Sequence, residues 1–469
     1  MFRKLALTIT ALAGALGVNA QDRLISHVNP FVGTDGFGNV YPGAQLPYGG
    51  IQISPDTDDD DYDAASGYKY SKPTIMGFSL THLSGTGIPD LGDFLFIPGT
   101  GTVKATAGTH EDPDSGYRSR YSHEMEEAHP GYYSVVLGDS GVKAEMTAAL
   151  HSGVFRFTYP ESESSYIMID LNHCLRQKCA WSNVRLYDDR TITGMRLVKG
   201  WGPERYVFFA ARFAEPLKDF SIMQNGELVC YNTKRFRSSL EAWGENLLAR
   251  VAFPTSEGQQ VTVHVAVSSV SEVGAVRNLE AEMKTAGGYR SFDEVQAAAE
   301  ALWEKELGKY ELTTDDSDLR TTFYTSVYHT AVHPFLFEDC DGQYRAHDGS
   351  IENSRAAGFT NHTVFSLWDT YRAQMPLYSI IHSEKENDIM NTFLDIYRAQ
   401  GKLPVWHLMG CETDCMVGNP GICVAADAIL KGFDGFDVEA LYEAMKTSAM
   451  RPDRGQDLRM LYGGFNGSG

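Results

Sequence analysis

From Asp22 to about Val270 apolar and polar residues alternate in short runs, the period of half-buried strands. The runs Tyr132–Leu137, Gly153–Tyr159, Tyr166–Leu171, Thr191–Val198, Tyr206–Phe213, Phe220–Cys230, Leu247–Phe253 and Val261–Ser268 are predicted strands. Turn residues separate them at Gly138-Asp139-Ser140-Gly141, Asn225-Gly226 and Glu257-Gly258. Many strands with no helix between them make a β-sandwich rather than a βαβ sheet, here with more strands than a simple immunoglobulin sandwich.

After Ser271 the spacing of apolar residues changes. Phe292–Leu307 is a strong predicted helix, rich in Ala, Glu and Leu. Further helices are predicted over Asp318–His333, Leu367–His382, Asn387–Gln400, Gly421–Leu430 and Val438–Met450. Serial amphipathic helices stack as α-hairpins, and a ring of such pairs is an α/α barrel. The fold expected is therefore multidomain β + α: segment 1–20, a sandwich over 21–270, a linker helix within 271–310, and a partial (α/α)6 barrel over 311–469. The helices are too few to close a six-pair ring, and the last residues read as mid-domain, so the chain is expected to be a fragment.

Composition narrows the function. Hydrophobic content of 43% is that of a globular protein, and a net charge of −21 argues against nucleic acid or anionic membrane as partner. Arg3 and Lys4, an apolar Leu5–Val18 and a small-residue site ending at Ala20 read as a signal peptide, too short to span a bilayer. An exported protein without membrane insertion, periplasmic or secreted, follows. Cys174–Cys179 or Cys411–Cys415 could pair there, but seven cysteines leave at least one free, and in so large a chain buried thiols are the commoner role.

The richest candidate chemistry is Leu403–Pro420, which sets Glu412 among Trp406, His407, Met409 and Met416, bracketed by Gly410 and Gly418. A carboxyl among apolar neighbours has its charged form disfavoured, which suits a proton donor. The alternative is a first-turn carboxylate at a helix start. In Phe365–Leu377, Asp369 and Arg372 share a helix face beside Trp368: a grip for sugar hydroxyls, or a surface ion pair. Asp58–Asp61 misses the EF-hand pattern, His329 and His333 lack a third ligand and read as core or cap, and Ser84 lacks a nucleophile elbow. The glycine-rich stretches Val28–Gly50 and His82–Asp93 lack a phosphate-loop pattern and suit loops running close to a ligand.

Six motifs in order, VNPFVGT at Val28, PYGGIQISPDT at Pro47, GFSLTHLSGTG at Gly77, HPGYYSVVL at His129, LWDTYRAQMPL at Leu367 and LPVWHLMGCETDCMVG at Leu403, resemble glycoside hydrolase family 92. The resemblance implies a calcium-dependent, exo-acting α-mannosidase of α-1,2 type that removes terminal mannose from glycans with inversion. It makes Glu412 the catalytic acid and assigns substrate binding to Asp369, Trp368, Arg372, Trp406 and the loop residues His82, Gly85 and Gly87. The calcium ligands stay unknown. The family's general base belongs to an acidic glycine-containing motif that Cys423–Gly469 lacks, and Asp414 is too near Glu412 to replace it across a sugar ring. The rivals are another sandwich-plus-barrel glycosidase or a disaccharide phosphorylase, and a mannoside-binding fragment without turnover.

Overall fold

The computed structural model describes residues 23–59, 62–231 and 240–451; the segment expected to be a signal peptide and the last eighteen positions (452–469) lie outside them. Among the described residues the first half forms two antiparallel sheets face to face. The eight-stranded sheet runs Ala44–Gln45, Gln52–Asp56, Gly77–Ser79, Leu95–Thr100, Ser162–Asp170, Leu247–Thr255, Asp219–Gln224, Glu227–Tyr231. The nine-stranded sheet runs Glu241–Gly244, Lys178–Leu186, Thr191–Lys199, Arg205–Phe213, Gln259–Ser268, Ser152–Tyr159, Lys143–Ala148, Tyr132–Val136, Glu126–His129. Period-two alternation sends Phe155, Phe157, Phe209, Ile167 and Ile169 into one core with Phe78 and Phe96. Phe220–Cys230, one run in the sequence, folds back at Asn225-Gly226, where both residues take positive φ (53° and 80°).

The outer face of the nine-stranded sheet is also covered. Helices α1 (Glu272–Met283) and α2 (Phe292–Leu307) cover it, burying Ala275, Leu279, Met283 and Val295 against Val154, Ala210 and Ala266. Sequence patterning missed α1 because Gly274 and Asn278 weaken its helical character. Ser271 caps it by accepting from the Gly274 N–H, and Asn278 reaches back to the sheet through the Val267 carbonyl.

The second half is helical: α3 (Ser317–Thr330), α4 (Ser354–Ala357), α5 (Leu367–Thr370), α6 (Gln374–Ile381), α7 (Ser383–Gln400), α8 (Pro420–Leu430) and α9 (Val438–Met450). The helix expected over Leu367–His382 is broken, and Pro376, which has no N–H to donate, stands in the first turn of the restarted piece. No described helix is long and apolar enough to cross a membrane, and Cys174 and Cys179, like Cys411 and Cys415, are not joined by a disulfide.

The glycine-rich Val28–Gly50 segment ties the halves together. Ile25, Val28, Tyr41 and Tyr48 join the helical core with Trp303, Tyr328 and Tyr378. Trp303 Nε1 donates to the Gln45 carbonyl at 2.7 Å, and the Tyr48 hydroxyl donates to Glu306 at 2.9 Å. Gly43 is required here: a Cβ would lie 2.2 Å from the Ile53 carbonyl.

One buried acid in the helical half sets a pH dependence. Glu386 on α7 is 2% exposed and its Oε2 has no partner; burial, then Asp427, raises its carboxyl to about 7 against the opposing pull of Lys431. The unfolded chain gives up this proton near pH 4.3 (about). Its contribution is therefore greatest below that value and is lost as pH rises through about 7. Glu386→Gln is expected to remove this decline, on the order of 3 kcal/mol between about pH 5 and about pH 8. Denaturation midpoints of both proteins at the two pH values check it, and an unchanged decline in the variant would refute the assignment.

Candidate active site

Glu412 does not start a helix. It ends the second strand of a hairpin, Trp406–Leu408 and Cys411–Glu412, turned by Met409 and Gly410, both at positive φ (46° and 84°). Glycine is needed at 410, since an added Cβ would lie 2.8 Å from the Arg345 carbonyl. The strand Phe365–Ser366 pairs alongside, with Phe365 opposite His407 and Ser366 opposite Trp406. This small sheet brings Glu412 and Asp369 to one region although 42 positions (412 − 369 − 1) separate them in the chain.

The Glu412 side chain is 6% exposed. Its Oε2 accepts from the Val405 N–H at 2.9 Å and Gln400 Nε2 at 3.4 Å; its Oε1 accepts from the Trp406 N–H at 2.8 Å and the Asp414 N–H at 3.0 Å. Burial is the largest influence on its pKa and raises it; the Val405 and Trp406 amides pull it down and the Asp414 charge pushes it up, with a net rise. All four donors favour the ionised form, so a proton on Glu412 has to displace one of them. Asp414 is itself paired with Lys402.

The other expected residues fall into two groups. Asp369 is exposed, its Oδ2 accepts from Ser366 Oγ at 2.6 Å, and it lines a cavity of about 190 Å³. Gly85 lines the same cavity from the sandwich half, together with Ser84 and Thr86. Gly85 (φ 73°) and Gly87 are exposed, and nothing stands within 4 Å of where a Cβ would be. Arg372 makes no ion pair with Asp369: the break after α5 turns it back, and its guanidinium lies 4.2 Å over the Trp368 ring.

His82 and Trp406 are placed otherwise than expected. His82 is fully buried, its Nδ1 2.8 Å from the Gln52 carbonyl and its Nε2 2.9 Å from Asp56 Oδ1, so it anchors the loop and does not reach the cavity. The Trp406 indole is 2% exposed and closed off by Trp201, ring centroids 4.2 Å apart. Trp201 comes from a sandwich loop that sequence reasoning passed over; its one signal is an aromatic residue between Gly200 and Gly202. Three other neighbours were also unforeseen: Gln400, Ser366 and His347, whose Nδ1 accepts the Glu412 N–H at 3.3 Å.

The loop Thr81–Phe94 is held by buried charge. Asp93 accepts from Arg205 NH1 and from Thr81 Oγ1, both at 2.6 Å, and Arg196 Nε lies 3.2 Å from its Oδ1 without hydrogen-bond alignment. Burial would raise the Asp93 pKa, but Arg205 and then Arg196 outweigh it and the net shift is downward. As for calcium, no three His, Cys, Asp or Glu side chains gather as a metal-holding group among the described residues. These residues do not by themselves fit the ion.

Comparison with known proteins gives a consistent result. Residues 27–268 match the Glycosyl hydrolase family 92 N-terminal domain and residues 274–464 match the Glycosyl hydrolase family 92 catalytic domain. The chain is 59% identical to a family GH92 alpha-mannosidase of Bacteroides thetaiotaomicron, covering 92% of this chain and 57% of that one with a TM-score of 0.88. That enzyme has also been solved with mannoimidazole. A family GH92 inverting mannosidase from Bacteroides thetaiotaomicron VPI-5482 is 25% identical, with a TM-score of 0.78 over 90% of this chain and 55% of that one. An uncharacterized secreted glycosidase of Arthroderma benhamiae is 25% identical over 94% of this chain and 54% of its own length. The chain thus spans just over half the length of the relatives it matches.

Proposed function

The chain belongs to glycosyl hydrolase family 92, and from that premise we propose that it acts as an exported exo-α-mannosidase on terminal mannose of glycans. The observation that carries the reading is the cavity lined by Asp369 and the Ser84–Thr86 loop, whose Ser366 wall belongs to the strand that pairs with the hairpin of the buried Glu412; Glu412 itself does not line it. Export rests on the basic and apolar pattern of Met1–Ala20 and on the printed description of the fungal relative as secreted.

In this proposal the bound mannose sits in the cavity. Asp369 Oδ2 is held by Ser366, which leaves Oδ1 to accept a sugar hydroxyl. Glu412 gives its proton to the departing glycosidic oxygen as the C1–O bond breaks. A water attacks C1 from the opposite face and loses its proton to a base, which inverts the anomeric centre. Asp414 is excluded as that base: its amide donates to Glu412, placing it on the acid's side, and its carboxylate is taken by Lys402. No other residue of the chain is assigned the role. The α-1,2 preference and a calcium requirement belong to the same proposal, with no step routed through the metal.

Incubation of the intact protein with α-1,2-mannobiose, followed by proton NMR, tests the reading. Free β-mannose as first product is expected, and its loss in EDTA would support the metal requirement. Release of α-mannose, or a need for phosphate, would replace this reading with a retaining enzyme or a phosphorylase. A mannoside-binding role without turnover is favoured by the four donors on the Glu412 carboxyl, one of which a proton there would have to displace. Binding by calorimetry with no product would establish it.

A further inference from the structure

Lys402 reaches Glu412 by two routes. Its ammonium is paired with the Asp414 carboxylate, and the Asp414 N–H donates to Glu412 Oε1 at 3.0 Å. Its carbonyl accepts from Gln400 Nε2 at 3.1 Å, and the same nitrogen donates to Glu412 Oε2 at 3.4 Å. Asp414 takes a positive φ (51°), uncommon for a residue other than glycine. Lys402 is 7% exposed, and an ammonium taken so far out of water needs a partner. A turn that only had to close would not call for a buried ion pair, since apolar residues of similar volume are often as stable in its place.

The pair carries the charge that stands next to the acid. Burial is the largest influence on the Glu412 carboxyl, and the Asp414 charge adds to its rise against the Val405 and Trp406 amides. The other ionisable groups packed round it are neutral near pH 7. His407, opposite Glu412 across the hairpin, is pulled to about 3 by burial and then by His347. His347, which accepts the Glu412 N–H, is lowered by burial and then by Lys402. The thiols of Cys411 and of Cys415, which feels both Asp369 and Glu412, are pushed up, burial first in each.

We propose that Lys402 is a positioning residue for Glu412: by holding the Asp414 carboxylate it fixes the amide that Asp414 turns to the acid and balances the negative charge beside it. The assignment rests on Glu412 being the proton donor of the proposed reaction. Without Lys402 the Asp414 charge is stranded next to the acid and makes its proton harder to give up. Without Asp414 the ammonium is stranded instead, and the acid loses its proton too readily.

The test follows the high-pH limb of kcat/KM for α-1,2-mannobiose, which reports the acid of the free enzyme, in the intact wild type, Asp414→Asn, Lys402→Met and the double variant. Asp414→Asn keeps the N–H to Glu412 and is expected to move the limb down by about one pH unit, a loss of about tenfold above it. Lys402→Met should move it up by a similar amount. The double variant strands neither charge, so its limb should return toward the wild-type position. On an aryl α-mannoside all of these shifts should be weaker. A pair that only held the fold would lower the melting temperature and the activity alike at every pH, so limbs that stay in place, or that move the same way in both single variants, overturn the proposal. Should Lys402→Met fail to fold, Asp414→Asn and the double variant decide it by the same limb. A wild type that does not cleave the disaccharide brings down the proposed function and this assignment with it. Cleavage with an unmoved limb brings down this assignment alone.

Discussion

Glu412→Gln is expected to lower mannobiose hydrolysis by about 10²–10⁴-fold, the usual worth of a positioned proton donor. An aryl mannoside with a good leaving group should lose far less, since its departing oxygen needs little protonation. The two substrates separate catalysis from structure. Both Glu412 oxygens accept backbone N–H groups, and a glutamine would turn its NH2 toward one of those donors. That clash leaves a buried donor unpaired and costs about 1–3 kcal/mol. If structure were the whole role, both substrates would fall together with the melting temperature. The raised carboxyl pKa adds a second reading: wild-type kcat/KM on the disaccharide should fall as pH rises through it, and the aryl substrate should show a weaker limb.

The second large effect concerns folding. Asp93→Asn removes the charge that pairs with Arg205 and Arg196, all three of them buried. Breaking one side of a buried pair typically costs about 3–5 kcal/mol, because the remaining charge is stranded. Asp90, 3.3 Å from Arg205, compensates only in part. Asp93 is held below the ordinary carboxylate value, so its stabilisation is present above about pH 3.9, where the unfolded chain is ionised. It is lost as pH falls through the lower folded value. Urea denaturation of wild type and variant near neutral pH measures the cost, and a loss under about 1 kcal/mol would mean that solvent reaches the arginines. The Asp93 amide and carboxylate both bind Thr81 Oγ1 at the root of the cavity loop, so KM for mannosides should rise as well.

Strand positions with clear alternation, such as Gly153–Tyr159 and Thr191–Val198, were legible because one face of each meets the shared core. Leu95–Thr100 and Lys178–Leu186 were not. The first is buried on both faces along most of its length and the second mixes Lys, Trp, Asn and Arg with its apolar residues, so neither shows a simple alternation. The split of Leu367–His382 turns on Pro376, whose effect on a helix depends on which turn it occupies. For Glu412, burial and its upward push on the carboxyl were readable from apolar neighbours. The hairpin that aims three backbone donors at it was not, because Met-Gly is a weak turn signal.

Local sequence alone determined the change from period-two to helical spacing, the family motifs and the acid at 412, since each depends on residues close in the chain. Tertiary structure alone decided which side chains face the sugar-sized cavity. It withdrew His82 into the sandwich, closed Trp406 behind Trp201 and set His329 and His333 beside Asp369. Those placements depend on contacts between residues up to 249 positions apart, as between Ser84 and His333, and no local pattern encodes where two separately folded surfaces will meet.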